Sequence, residues 1–415
     1  MTLRRKSFLA LSAGLPVAIA TGCGSSSSHP DSAGSTPKPG SDKGADLTIW
    51  ADGKKAPSLT KAATEWGQRN GLTVSVQTVA KDLMTNFVTA NQAGNGPDIV
   101  IGAHDWIGNL VQNSSITPMQ LEQDATKDIA PTAMKAVTYQ GQVYGLPYSV
   151  ETLVIYANKK LTSVAEPTTF EEMIAAGKAG GAELPLSLPV GQEGDAYNME
   201  PIYTSAGGYL FGEKDGNYDP KDLGVGKEGS IAAAEKILEL GKQGILKTSV
   251  TVDNAISLFT DGKAAYLSSG PWALSDIKKA GIDVSLVAWP QLQGMQPARP
   301  FAGVNAFYVA SKAKNPGNAN QFIADLAAST EIFHAMFQIN QLPPVNSALQ
   351  KQLAADNPEM VKIAQLAESA QPMPAIPAMA AVWKPLGQAQ ASIIGGADPK
   401  TTMMSAGEHI AAQIK

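Results

Sequence analysis

The chain of 415 residues has one cysteine, Cys23. A single thiol makes no internal disulfide, so the framework of a small secreted disulfide protein is excluded. The four histidines, His29, His104, His334 and His409, are scattered. No metal-ligand spacing joins them to other ligands, and no metal or other cofactor is expected. No glycine-rich phosphate loop occurs. No G-x-S-x-G nucleophile elbow occurs either. Basic residues number 32 against 37 acidic, a formal net charge of −5. Without a basic cluster, nucleic acid is excluded as a partner class. Past residue 20 no apolar run reaches the roughly 20 residues that span a bilayer. No fixed-period repeat points to a solenoid. Aromatic residues make up only 6% of the chain, so their positions carry weight.

What is present begins with an export pattern. Arg4, Arg5 and Lys6 form a positive region, and Phe8 to Ala20 is a short apolar run. Together they predict a signal peptide over residues 1–22. Ala20-Thr21-Gly22-Cys23 places small residues directly before the cysteine. That order resembles a bacterial lipobox, which implies lipidation at Cys23 and a membrane anchor. Residues 24–45 are rich in Gly, Ser and Pro and carry no apolar period, so residues 23–45 read as a flexible tether. The body beyond it is long enough for two lobes.

Strand and helix signals then alternate. Asp46 to Trp50, Leu72 to Val76 and Asp98 to Ile101 read as strands. Leu59 to Asn70, closed by Gly71, and Lys81 to Gln92 read as the helices between them. This β-α-β-α-β order predicts a parallel sheet with helices on its faces. Further strands are expected at Thr152 to Tyr156, Ala264 to Ser268 and Val284 to Pro290. A capped helix is expected to begin at Thr168-Thr169-Phe170-Glu171-Glu172. From about Asn315 the chain is mostly helical in pattern.

Nine stretches, in collinear order, carry a family resemblance. They are Leu47-Thr48-Ile49-Trp50 with Gly53 and Lys55; Gly96-Pro97-Asp98-Ile99; Ala103-His104-Asp105; Val150-Glu151; Ile155-Tyr156 with Asn158-Lys159; Gly207-Gly208-Tyr209; Gly270-Pro271-Trp272-Ala273; Met373-Pro374 with Ile376-Pro377; and Trp383. On these the chain resembles the maltose/maltodextrin-binding proteins of bacterial ABC importers, within the extracellular solute-binding proteins. The resemblance implies an α/β, two-lobe periplasmic-binding-protein (type II) fold with hinge strands and a ligand cleft between the lobes. It puts the N-terminal lobe at 46–149 and 305–352 and the C-terminal lobe at 153–300 and 358–415. Crossings fall near Val150–Thr152, Phe301–Val304 and Ala354–Pro358. It implies an oligosaccharide ligand, ABC permease subunits as partners, a monomer, and no catalysis.

A sugar ring offers apolar C–H faces and a rim of hydroxyls. A site for it needs flat aromatic surface and many hydrogen-bond partners, of which charged ones bind more strongly. By the resemblance, Tyr197, Trp272 and Trp383 stack on the ligand and Met373 lines the far end of the cleft. Lys55, Asp105 and Glu151 grip hydroxyls, and Asp195 accompanies Tyr197. Taken alone, a Trp or Met more often packs a core, and a lone charge is more often a surface group. The chain departs from the family at Asp52, at Lys54 where an acid is usual, at Gly102 in place of a stacking tryptophan, and at Trp106 in place of an arginine. Trp106 compensates for Gly102 only if its ring turns into the cleft. Trehalose or another oligosaccharide therefore remains open as ligand. A glycoside hydrolase remains the rival from another class, since Asp105 and Glu151 are the paired carboxylates such enzymes require.

Overall fold

The computed structural model describes residues 44–214 and 216–414. The expected signal segment, Cys23 and the tether up to residue 43 lie outside them. In chain order the strands are β1 (Leu47–Ala51), β2 (Val74–Thr78), β3 (Ile99–Ala103), β4 (Thr138–Tyr139), β5 (Gln142–Val143), β6 (Gly145–Thr152) and β7 (Val154–Asn158). They continue with β8 (Leu184–Ser187), β9 (Phe211–Lys214), β10 (Asn217–Leu223), β11 (Ala264–Ser269), β12 (Val284–Val287), β13 (Phe301–Val309) and β14 (Gln371–Pro372).

Two α/β lobes form around two sheets. In the first, β1 lies parallel between β2 and β3, as the alternation predicts. β13 runs antiparallel to β3 and to β6, and parallel to β14. The second sheet has the order β12-β7-β11-β8, with β7 antiparallel to both neighbours and β11 parallel to β8. All five residues of β7 are buried. Val154 and Tyr156 enter one apolar core while Ile155 and Ala157 enter another, so both faces of this sheet are covered.

Helix boundaries follow capping more than periodicity. The first helix is Lys55–Arg69, with Leu59, Ala62, Ala63 and Trp66 buried on one stripe. It starts four residues before the expected Leu59, because Asp52 Oδ1 accepts the N–H groups of Lys54 and Lys55 at 2.9 Å each. Gly71 follows its end with φ +68°, a conformation glycine adopts without strain. The helix Phe170–Ala179 carries the expected cap: Thr169 Oγ1 accepts the Glu172 N–H at 3.2 Å, and Glu172 reaches back to Thr168 N–H at 2.8 Å. Periodicity gave no sign of the helix Ala196–Ser205, which contains Pro201 and is capped by Asp195.

The lobes are joined through adjacent strands, and they also touch away from those strands, where Lys135 pairs with Glu213 at 3.4 Å. Leu153 alone separates β6, in the first sheet, from β7, in the second. Ala302 of β13 stands opposite Thr152 on one side and Pro372 on the other, so three passages lie side by side. The third passage, expected near Ala354–Pro358, is drawn out along the chain. The helix Pro358–Leu366 packs on both β6 and β12, and β14 still pairs with the first sheet.

Candidate functional site

In open α/β sheets ligands bind beyond the carboxyl ends of parallel strands. β1 and β3 share that edge in the first sheet, since Trp50 lies opposite Val100. The turn after β1 carries Asp52, Lys54 and Lys55, and the turn after β3 carries His104, Asp105 and Trp106. β8 and β11 share the edge in the second sheet. Asp195 and Tyr197 follow β8, and Trp272 follows β11. The ends of β6 and β13 bring Glu151 and Phe301 to the passage between the lobes.

The charged residues form one cluster. Asp52 Oδ2 pairs with the Lys55 ammonium. Burial pushes the Asp52 carboxyl up, but Lys55 and the two backbone N–H groups outweigh it and hold the carboxyl below its ordinary value. Lys54 is exposed. Glu151 is half-buried, and burial raises its carboxyl, while Lys55 and Lys54 draw it down and Asp52 pushes it up. The Tyr197 hydroxyl is raised by burial first, then by Glu151 and Asp195. Glu151 therefore stands within electrostatic reach of lobe-one lysines and of lobe-two Tyr197.

Asp105 is the site's unpaired acceptor. Its Oδ1 is buried and has no hydrogen-bond partner among the described residues. Burial raises its carboxyl, against the pull of His104 and its own backbone N–H. A buried acceptor left open is a place for a ligand hydroxyl or a water. His104 beside it is fully buried. The Val304 N–H donates to Nδ1 at 3.0 Å, so Nε2 carries the proton and donates to Met373 O at 3.1 Å. Burial lowers its pKa, with Asp105 and the two backbone bonds opposing. His104 thus joins the turn after β3 to β13 and to Met373.

The aromatic residues divide into two sets. Tyr197 stacks on Phe301 with ring centroids 5.9 Å apart, and Phe301 meets Trp383 edge-on at 5.8 Å. Phe301 thereby supports both rings, and no local pattern marked it as more than a hinge residue. Trp106 is half-buried, and its indole occupies the space beside Gly102 where a side chain would begin. Trp272 is 46% exposed. Met373 is half-buried; its Cε would lie 3.8 Å from a Cβ at Gly303.

Asp195 acts first as a helix cap. Its Oδ1 accepts the Asn198 N–H at 3.0 Å and its Oδ2 accepts Asn198 Nδ2 at 2.7 Å. This fixes the helix turn that holds Tyr197.

Two cavities flank the cluster. One of about 790 Å³ is lined by Val111, Lys135, Tyr139, Tyr218, Pro372 and Met373, among others. Met373 is the one predicted site residue there, and among the described residues its polar lining includes Lys135, Gln112, Gln140, Thr138 and the two tyrosines, with no carboxylate. A second, of about 290 Å³, is lined by Glu200, Tyr218, Arg299, Phe301 and Gln371, among others. Glu200 was not singled out in the sequence. It is 3% exposed, its Oε2 has no hydrogen-bond partner among the described residues, and burial pushes its carboxyl well above the ordinary value. Among the described residues no group of three metal-ligating side chains occurs.

The bacterial extracellular solute-binding proteins match this chain over residues 61–362. A galactooligosaccharide-binding protein of Bacillus subtilis is 29% identical over 386 residues, covering 90% of this chain and 91% of its own. A maltodextrin-binding protein of the same organism is 29% identical over 401 residues, covering 92% and 91%. Among solved structures, a cyclo/maltodextrin-binding protein complexed with maltotetraose superposes with a TM-score of 0.80 at 27% identity, covering 90% of this chain and 99% of its own.

Proposed function

Because the chain belongs to the bacterial extracellular solute-binding protein family, we propose that it is the lipid-anchored binding component of an ABC importer for maltodextrin or a related oligosaccharide. One observation supports this reading: Glu151, at the β6–β13 passage, lies within electrostatic reach of Lys55 and Lys54 from one lobe and of Tyr197 from the other. Glu151, Lys55 and Asp105 supply hydroxyl partners; Tyr197, Trp272, Trp383 and Trp106 supply flat surface. Lys54 and Asp52 set which hydroxyl pattern fits, because a polar site rejects a wrong analogue more strongly than an apolar one does. The relatives bind maltodextrin and galactooligosaccharide, so both sugars belong in any test.

The ligand completes its contacts only when the lobes shut, and differential affinity for the shut form drives the closure. The closed molecule, a monomer held to the membrane at Cys23, then docks on the permease with one lobe on each transmembrane subunit. Asp105 and Glu151 serve recognition and not hydrolysis, so the sugar leaves chemically intact.

A thermal-shift series with maltose, maltotriose, a galactooligosaccharide, trehalose and cellobiose tests the reading. A ligand at 100 times its Kd adds about 2.7 kcal/mol of stability. A shift with a maltooligosaccharide and recovery of intact sugar are expected. No shift with any of the five, or release of monosaccharide, overturns the proposal.

A further inference from the structure

Gly102 and Gly270 each lie near the carboxyl end of a strand, one in each lobe. Gly102 lies in β3, two residues before the 3₁₀ turn His104–Trp106. Gly270 follows β11 and precedes the 3₁₀ turn Pro271–Ala273. Neither glycine has the left-handed backbone that would demand the residue; Gly270 sits at φ −95°, which any residue adopts. The demand is for space. A Cβ at 102 would stand 2.2 Å from Trp106 Cζ3 and 2.3 Å from its Cε3. A Cβ at 270 would stand 2.1 Å from Trp272 Cζ3 and 2.3 Å from its Cη2. In both lobes the benzo portion of an indole rests where a side chain would begin.

We propose that Gly102 and Gly270 are positioning residues, each seating one tryptophan at the binding edge of its sheet so that Trp106 and Trp272 grip the sugar from opposite lobes. This rests on the carbohydrate-binding reading above. The glycine leaves its indole one resting place before ligand arrives, and a ring ordered in advance spares that ordering cost on binding. The seat also explains how a chain with glycine at 102 keeps an aromatic surface there: the ring arrives from four residues on.

Gly102→Ala and Gly270→Ala test the seats, each alone and combined with Trp106→Ala or Trp272→Ala, in the full chain. Maltotriose is the probe, by calorimetry. Each glycine substitution alone is expected to weaken binding about tenfold, the scale of a lost aromatic contact. Added to Trp106→Ala, Gly102→Ala is expected to change nothing, since the ring it displaces is gone. Wild-type affinity in Gly102→Ala, or an effect that persists without Trp106, overturns the proposal. If Gly102→Ala alone fails to fold and the double variant folds, the clash is with Trp106 as proposed. Incorporation of 5-fluorotryptophan gives a ligand-free readout: the Trp106 resonance moves in Gly102→Ala, and an unmoved resonance overturns the seat. Should the unsubstituted chain bind no sugar, the functional reading falls, and the fluorine spectrum still decides the seat.

Discussion

Glu200 makes the fold answer to pH. It is buried with Oε2 unpartnered among the described residues, and burial raises its carboxyl well above 4.5. The folded chain keeps a proton that the unfolded chain releases, so stability falls as pH rises past the unfolded value. Glu200→Gln removes that titration. Its melting temperature is expected to exceed that of the parent by a margin widest at about pH 7.5 and closing toward pH 4. A melting series across that range checks it; a margin independent of pH refutes it. Glu200 and Phe301 also mark what residue-level reading misses. Both matter through partners distant in sequence: Phe301 joins Tyr197 to Trp383, and Glu200 shares its cavity with Arg299 and Gln371. No local period records such meetings.

Among the elements, the β-α-β-α-β run at the start was legible because each strand and helix is a local pattern. Boundaries were less so. Lys55–Arg69 begins early because a side chain, that of Asp52, captures its first N–H groups. Ala196–Ser205 escaped notice because Pro201 breaks the expected pattern and the cap at Asp195 holds it. The candidate site residues were legible only through the family resemblance, not through periodicity. The cap makes its own prediction. Asp195→Ala should cost about 1 kcal/mol in urea unfolding and weaken sugar binding, because the turn bearing Tyr197 frays. Asp195→Asn keeps an acceptor for the Asn198 N–H and should keep both properties nearly intact. Equal loss of affinity in the two variants would instead make the carboxylate itself the sugar's partner.

For the whole molecule, the two-lobe architecture followed from chain length and the family pattern. The breadth of the third passage did not, since it depends on the helix Pro358–Leu366 packing on strands of both sheets. Lobe closure predicts that saturating maltotriose lowers the radius of gyration in small-angle scattering, and that Glu151→Ala abolishes the change by removing a group that reaches both lobes. An unchanged profile for the parent at saturation refutes closure.

The alignment of Thr152, Ala302 and Pro372 across β6, β13 and β14 has a mechanical consequence. Strands bonded edge to edge at the point of crossing bend together and resist twisting singly. Such a crossing favours a joint flexing of the three strands over independent motion of any one of them. On the proposed transport reading, a permease that meets both lobes receives that joint motion as a single coordinate, the gap's width. Sugars of different length are distinguishable to it only as far as they set that width differently.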